Sequence, residues 1–164
     1  MTINDLKLKL FELGINNEYF SNGKTDNQNN KVFIEKNENP TWTVFYRKSD
    51  EDYSDEIFGS EHEACEYALE KLKFFATATV DVEAVAAFML KVKPEDLSKT
   101  KELLKNIGVI HFWKPSRGGG SVLINPKGEA LWSASAIPLK RQIKDFLEGV
   151  RSKYDPAQFP LNLK

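Results

Sequence analysis

FWKPSRGGGSVLINPKGEALW, residues 112 to 132, sets three consecutive glycines between an arginine and a serine, with a tryptophan near each end. Two kinds of fold read this stretch differently. A phosphate-binding loop needs its glycines followed by a Lys-Ser/Thr pair and then a helix whose N-terminus faces the phosphate. A dinucleotide fingerprint also needs a helix next. Here the glycines run into Ser121 to Ile124, which reads as a strand, and no such pair is present. The context predicts a hairpin. Asn125-Pro126-Lys127-Gly128 puts Asn, Pro and Gly at favoured positions of a type I turn. Gly118 to Gly120 then lie just before a strand, where missing side chains permit a bend, a bulge or close approach of another backbone. The alternative is a loop that holds Arg117 against a ligand or partner.

Outward from this hairpin, Val109 to Trp113, Ser121 to Ile124 and Ala130 to Trp132 read as three strands. Pro138 opens a last helix with Leu139, Ile143, Phe146, Leu147 and Val150 on one face and Lys140, Arg141 and Lys144 on the other. The tail from Tyr154 contains two prolines and is expected to lie along the surface. Upstream, PEDLSKTKELLKNIG (94 to 108) reads as a helix: Pro94 at its first position, acids in its first turn, Leu97, Leu104 and Ile107 inward, Gly108 as the stop. Before it, Asp81 caps a helix through Val82, Val85, Ala86, Met89 and Leu90, with a strand left open by the β-branched residues that precede it.

The first half follows a related plan. Thr2 with Asp5 starts a helix carrying Ile3, Leu6, Leu10 and Leu13 on one face, and Gly14 ends it. The polar loop after it is interrupted by Tyr19 and Phe20, which are expected to tuck onto the core. Val32 to Lys36, Thr41 to Arg47 and Glu56 to Phe58 read as strands, the second with Trp42, Val44 and Tyr46 facing opposite to Thr43, Phe45 and Arg47. Ser60 with Glu63 caps a helix that turns Ala64, Cys65, Ala68, Leu69 and Leu72 inward. The expected fold class is therefore α+β, with two small antiparallel-sheet modules. Residues 1–75 form a helix, a three-stranded meander and a helix. Residues 76–164 form two helices, a meander and a helix, and the joint lies near Phe74 to Asp81.

Composition bounds what such a chain can do. Hydrophobic residues at 41% and aromatics at 12% suffice for a packed core. No apolar run approaches the ~18 residues needed to cross a bilayer, and MTINDLKLKL has no signal-peptide core, so a cytoplasmic protein away from the membrane is expected. The net charge of −1 hides an asymmetry: residues 1–73 hold 9 Lys/Arg against 15 Asp/Glu, and residues 74–164 hold 14 against 9. Asp50, Glu51, Asp52, Asp55, Glu56, Glu61, Glu63 and Glu66 fall within seventeen residues that contain no Lys or Arg. They read as a solvated face or as a docking surface for a basic partner.

No catalytic constellation emerges. Ser116, Ser121, Ser133 and Ser135 lack a G-x-S-x-G context, and His111 is a lone histidine on a strand. His62 and Cys65, three apart on a helix, supply two ligands where a metal needs three or four. Carboxylates are plentiful, but catalysis needs burial or coupling to shift their pKa. The expectation is a protein that is not an enzyme, with no catalytic residues, cofactor or metal. The basic stripe of Lys140, Arg141, Lys144, Arg151 and Lys153 is modest for nucleic acid, which is not the expected partner.

Leu13 to Ile15, the Trp42 to Tyr46 strand and the Phe58 to Tyr67 helix start resemble a small α+β module of immunity proteins from bacterial polymorphic and contact-dependent toxin systems. The resemblance covers less than half of the chain. It implies no catalytic residues, and it implies binding to a cognate toxin domain, for which a nuclease is one candidate. The expected contact residues are Asp50, Glu51, Asp52, Asp55, Glu56 and Glu63, with Trp113 and Arg117 from the second half. The alternative is a nucleotide- or nucleic-acid-binding regulator that uses Arg117, the glycines and the basic final helix.

Overall fold

The computed structural model describes residues 1–16, 20–23, 31–48 and 51–161, with the backbone alone for residues 48 and 51–55. The chain is α+β. Its described residues form four α-helices and two four-stranded sheets, one mixed and one antiparallel. It divides into two compact units, Met1–Ala76 and Thr77–Lys164.

In the first unit, helix α1 spans Ile3–Glu12. Thr2 Oγ1 accepts from the Asp5 amide at 3.2 Å, and the Asp5 carboxylate accepts from the Thr2 amide at 2.8 Å. The Thr2 amide and the Thr2 hydroxyl, which donates at 2.9 Å, both favour the charged form and hold the Asp5 carboxyl below its ordinary pKa. Leu6 and Leu10 are fully buried. Leu13, expected inward, is instead the C-cap and 53% exposed, because the helix has ended and the backbone turns away through Gly14 at φ +67°.

Strands β1 (Phe20–Asn22), β2 (Lys31–Lys36), β3 (Trp42–Lys48) and β4 (Glu51–Phe58) form the first sheet in that order. β1 runs parallel to β2, so this sheet is mixed where an all-antiparallel meander was expected. Phe20 does tuck onto the core; Tyr19 lies outside the described residues. β4 begins five residues earlier than the sequence suggests. Its acidic start lies opposite the basic end of β3, with Glu51 against Lys48 and Asp52 against Arg47, and such cross-strand charge pairs favour pairing over a turn. Trp42, Val44 and Tyr46 form one face of β3, where Tyr46 stacks on Phe75 of helix α2 (Glu61–Thr77) at 5.2 Å. On the other face Arg47 lies over the Phe33 ring at 4.7 Å, and Phe33 stacks on Phe45. Helix α2 starts as its capping pattern predicts, with the Glu63 amide donating to Ser60 Oγ at 3.3 Å, and it buries Ala64, Cys65, Ala68, Leu69 and Leu72.

In the second unit, Asp81 accepts from the Ala84 amide at 3.1 Å and caps helix α3 (Val82–Leu90), which closes the alternative of a strand there. The helix expected over 94–107 does not form. Pro94–Leu97 is a single 3-10 turn, and Lys101–Leu104 is strand β5, paired antiparallel with β6 (Val109–Trp113). β7 (Ser121–Ile124) and β8 (Ala130–Ser133) complete the sheet in chain order. Helices pack on both its faces. Val109, Leu123 and Leu131 pack with Phe146 of helix α4 (Leu139–Leu147). The alternate residues, Phe112 and Val122 among them, are fully buried on the α3 side. Burial of a side chain such as Phe112 contributes about 1.5–3 kcal/mol. Leu147 and Val150, expected on the buried face of α4, are exposed, since that helix ends at Leu147; Gln142 takes the central position instead and is fully buried. Its Nε2 donates to Leu131 O at 2.9 Å and Ser121 O at 3.3 Å, and its Oε1 accepts from Ser121 Oγ at 2.8 Å. A buried amide is tolerable only when satisfied in this way.

Candidate partner-binding site

The expected contact residues divide between the two units. Glu51, Asp52, Asp55 and Glu56 lie on β4, the edge strand of the first sheet, and Asp50 lies outside the described residues. Among the described residues no strand pairs with the outer side of β4. Its register with β3 shifts between Val44 and Phe45, so Asp55 is an extra, bulged residue. Glu56 is exposed, and next to it Ile57 is 67% exposed. Sequence reasoning missed Ile57; its signal was an isoleucine placed opposite the polar Thr43.

The helical part of the acidic stretch has local tasks. Glu63 is exposed, but its carboxylate accepts from Ser60 Oγ at 3.0 Å as part of the α2 cap. Glu61 accepts from the Ile3 amide at 2.8 Å and holds the start of α1 against α2. Glu66 lies 3.4 Å from His62 Nε2 on the same helix. The other acids of the stretch within the described residues lie on β4, where Lys48 and Arg47 are the register partners of Glu51 and Asp52.

Trp113 and Arg117 belong to the second unit. Trp113 is half-buried at the end of β6, tilted against His111 at 5.2 Å between ring centroids. Arg117 is exposed in the loop from Lys114 to Gly120 that joins β6 to β7. This loop answers the question raised by the glycines. The Lys114 amide donates to Gly120 O at 3.0 Å, and the Gly119 amide to Ser116 O at 3.1 Å, so it closes as a hairpin. Gly118 has φ +76°. A Cβ on Gly119 would come 2.4 Å from Lys114 Cβ; one on Gly120 would come 2.6 Å from Trp132 Nε1 and 2.7 Å from the Ser133 carbonyl oxygen. The glycines are there for backbone geometry and close packing. The next turn also forms as expected, with the Gly128 amide donating to Asn125 O at 3.0 Å.

Ser121 Oγ donates to Gln142, with no histidine acting on it. Burial holds the His111 imidazole below its ordinary pKa, and its Nδ1 is buried without a hydrogen-bond partner among the described residues. Burial pushes the Cys65 thiol up to about 11, which makes it a poor thiolate. No three His, Cys, Asp or Glu side chains gather as metal ligands among the described residues. In the basic final helix, Arg141 pairs with Asp145 at 3.0 Å and Lys144 with Glu148 at 3.8 Å. Arg151 lies over the Phe146 ring at 3.7 Å. No described helix is long and apolar enough to cross a membrane. No protein-family model, curated protein or solved structure matches this chain, so its function is read from its own residues.

Proposed function

We propose that the protein is an immunity protein that neutralises a cognate toxin domain by binding it, with the outer edge of β4 as the contact. One observation carries this reading: β4, the longest edge strand among the described residues, has no strand paired on its outer side there, carries Glu51, Asp52, Asp55 and Glu56 in its sequence, and has an exposed Ile57. An open edge offers main-chain hydrogen bonds, and alternate side chains supply specificity. The acids select a basic partner and speed its approach; a nuclease cleft that must hold phosphate is basic. The reading needs no catalytic residue and no cofactor in this chain, and it sets the protein in the cytoplasm beside the toxin it restrains.

The test is co-expression with the product of the adjacent reading frame. The expected result is that the neighbour arrests growth alone, that this chain restores growth, and that the two co-purify at fixed stoichiometry. A neighbour that is harmless, or toxic yet neither bound nor neutralised, would remove the reading.

A further inference from the structure

We propose that the second unit carries a surface for single-stranded nucleic acid at the glycine end of its sheet, formed by the indole of Trp132, the floor of Gly119 and Gly120, and the cations Lys114 and Arg117. The inference does not rest on the immunity reading, and it concerns the other unit. Trp132 is 45% exposed, whereas Trp42 and Trp113 are half-buried. Leu131 packs toward α4, so by alternation Trp132 points to the opposite face, where its ring lies against Gly120. Any side chain at Gly120 would displace that ring. Lys114, paired through its amide with Gly120, runs its stem along Gly119. Arg117 extends from the same loop, and neither cation takes part in an ion pair among the described residues.

The surroundings favour an anion. From Leu103 to Gly128, 26 residues hold Lys105, Lys114, Arg117 and Lys127 and no acid. The indole decides which anion. An aromatic face is electron-rich, so a carboxylate on an acidic protein gains from the cations but not from the ring. A single-stranded nucleic acid gains from both, with a base stacked on Trp132 and phosphates at Lys114 and Arg117. A duplex has its bases already stacked and offers the indole nothing without unstacking. The surface differs from the basic final helix, where Arg141 and Lys144 are paired along their own helix.

The probe is a fluorescein-labelled oligothymidylate of about 15 nucleotides, titrated with the full chain at low salt and followed by anisotropy. Binding is expected, weakening as salt rises. Trp132→Ala should weaken it about tenfold, as loss of one stacked base does. Trp132→Phe should retain most of the affinity, which separates stacking from misfolding. Arg117→Ala, at an exposed loop position, should weaken binding and flatten the salt dependence by about one phosphate contact. Absence of binding at low salt would overturn the proposal. So would an affinity that ignores both Trp132→Ala and Arg117→Ala. Polyglutamate competing as well as unlabelled oligothymidylate would assign the surface to an acidic protein instead.

Discussion

The two sheets guard their outer edges by different means. In the second sheet, β8 is covered: the Ser152 amide donates to Ala130 O at 2.8 Å, and the Trp132 amide to Ser152 Oγ at 2.9 Å. The chain then continues as a strap. Tyr154 donates its hydroxyl to Gly128 O, Phe159 packs on Phe88 at 5.3 Å, and Pro160 bridges to Val80. In the first sheet, β4 has no such cover among the described residues; it carries four acids and a bulge. Covering and charging are both recognised ways to stop edge-to-edge aggregation. They differ in what remains: a covered edge is closed to partners, while a charged edge stays readable by a partner of opposite charge.

The largest effect is expected from ending the chain after Val150. It removes the β8 cover, the Tyr154 and Arg151 contacts and the Phe159 packing, an expected loss of about 3–5 kcal/mol from hydrogen bonds, cation–π contact and burial together. The truncated chain should melt well below the full one and scatter light on heating. A truncation that stays monomeric with an unchanged melting temperature would show that the strap does not protect β8. Gln142→Leu comes next. It leaves the Ser121 hydroxyl and the Leu131 carbonyl without this partner, at about 1–3 kcal/mol, visible in urea denaturation. Gly120→Ala should cost a similar or smaller amount, about 1–3 kcal/mol from overpacking, because its Cβ meets the Ser133 carbonyl. Gly119→Ala should cost a comparable amount, because its Cβ would come 2.4 Å from Lys114 Cβ, an atom that the backbone fixes, whereas Arg117→Ala should leave the melting temperature in place.

A smaller, pH-dependent effect should mark the second unit. Burial lowers the folded pKa of His111 below the ordinary value. The unfolded chain then takes up the proton first as pH falls, so this contribution to stability is present above about pH 6.5 and is lost progressively below it. His111→Leu should flatten the melting temperature between neutral pH and pH 5. The Asp5 carboxyl, lowered in the folded state, acts in a separate window: its contribution is lost only as pH falls through the carboxylate range.

The glycine stretch was legible because its decisive signal is local: a strand rather than a helix follows it, and Asn-Pro-Lys-Gly is a turn whatever surrounds it. The caps Thr2, Ser60 and Asp81 were legible for the same reason. What the sequence concealed was set by pairing at a distance. In Lys101–Leu104, leucine spacing and Pro94 favour a helix, but Leu103 and Leu104 find Ile110 and Val109 across a hairpin, and pairing with β6 overrides local propensity. β1 is three residues long, too short to display a period, and β4 is hidden by acids that become acceptable only once Arg47 and Lys48 stand opposite. At the candidate site the acidic stretch was visible. Its division was not, because Glu61 is used by Ile3, 58 residues away. The exposed placement of Trp132 was hidden because only the close approach of Gly120 shows why it lies where it does.

The proposed immunity function has a basic toxin bind the acidic edge of β4, which no strand covers among the described residues. The most direct measurement is the association rate of the captured toxin against salt, for the natural chain and for one with Asp55 and Glu56 changed to Lys, positions that have no cation opposite them on β3. Surface changes of this kind alter stability by about 0.5 kcal/mol each, so the fold should survive, as a melting curve would verify. The natural chain should associate more slowly as salt rises, because exposed charges are screened beyond a Debye length of about 8 Å at physiological salt. The double reversal should slow association further and abolish protection of the cell. An on-rate and affinity indifferent to both salt and the reversal, but lost with Trp113→Ala or Arg117→Ala, would exclude the β4 edge as the contact and move it to the second unit.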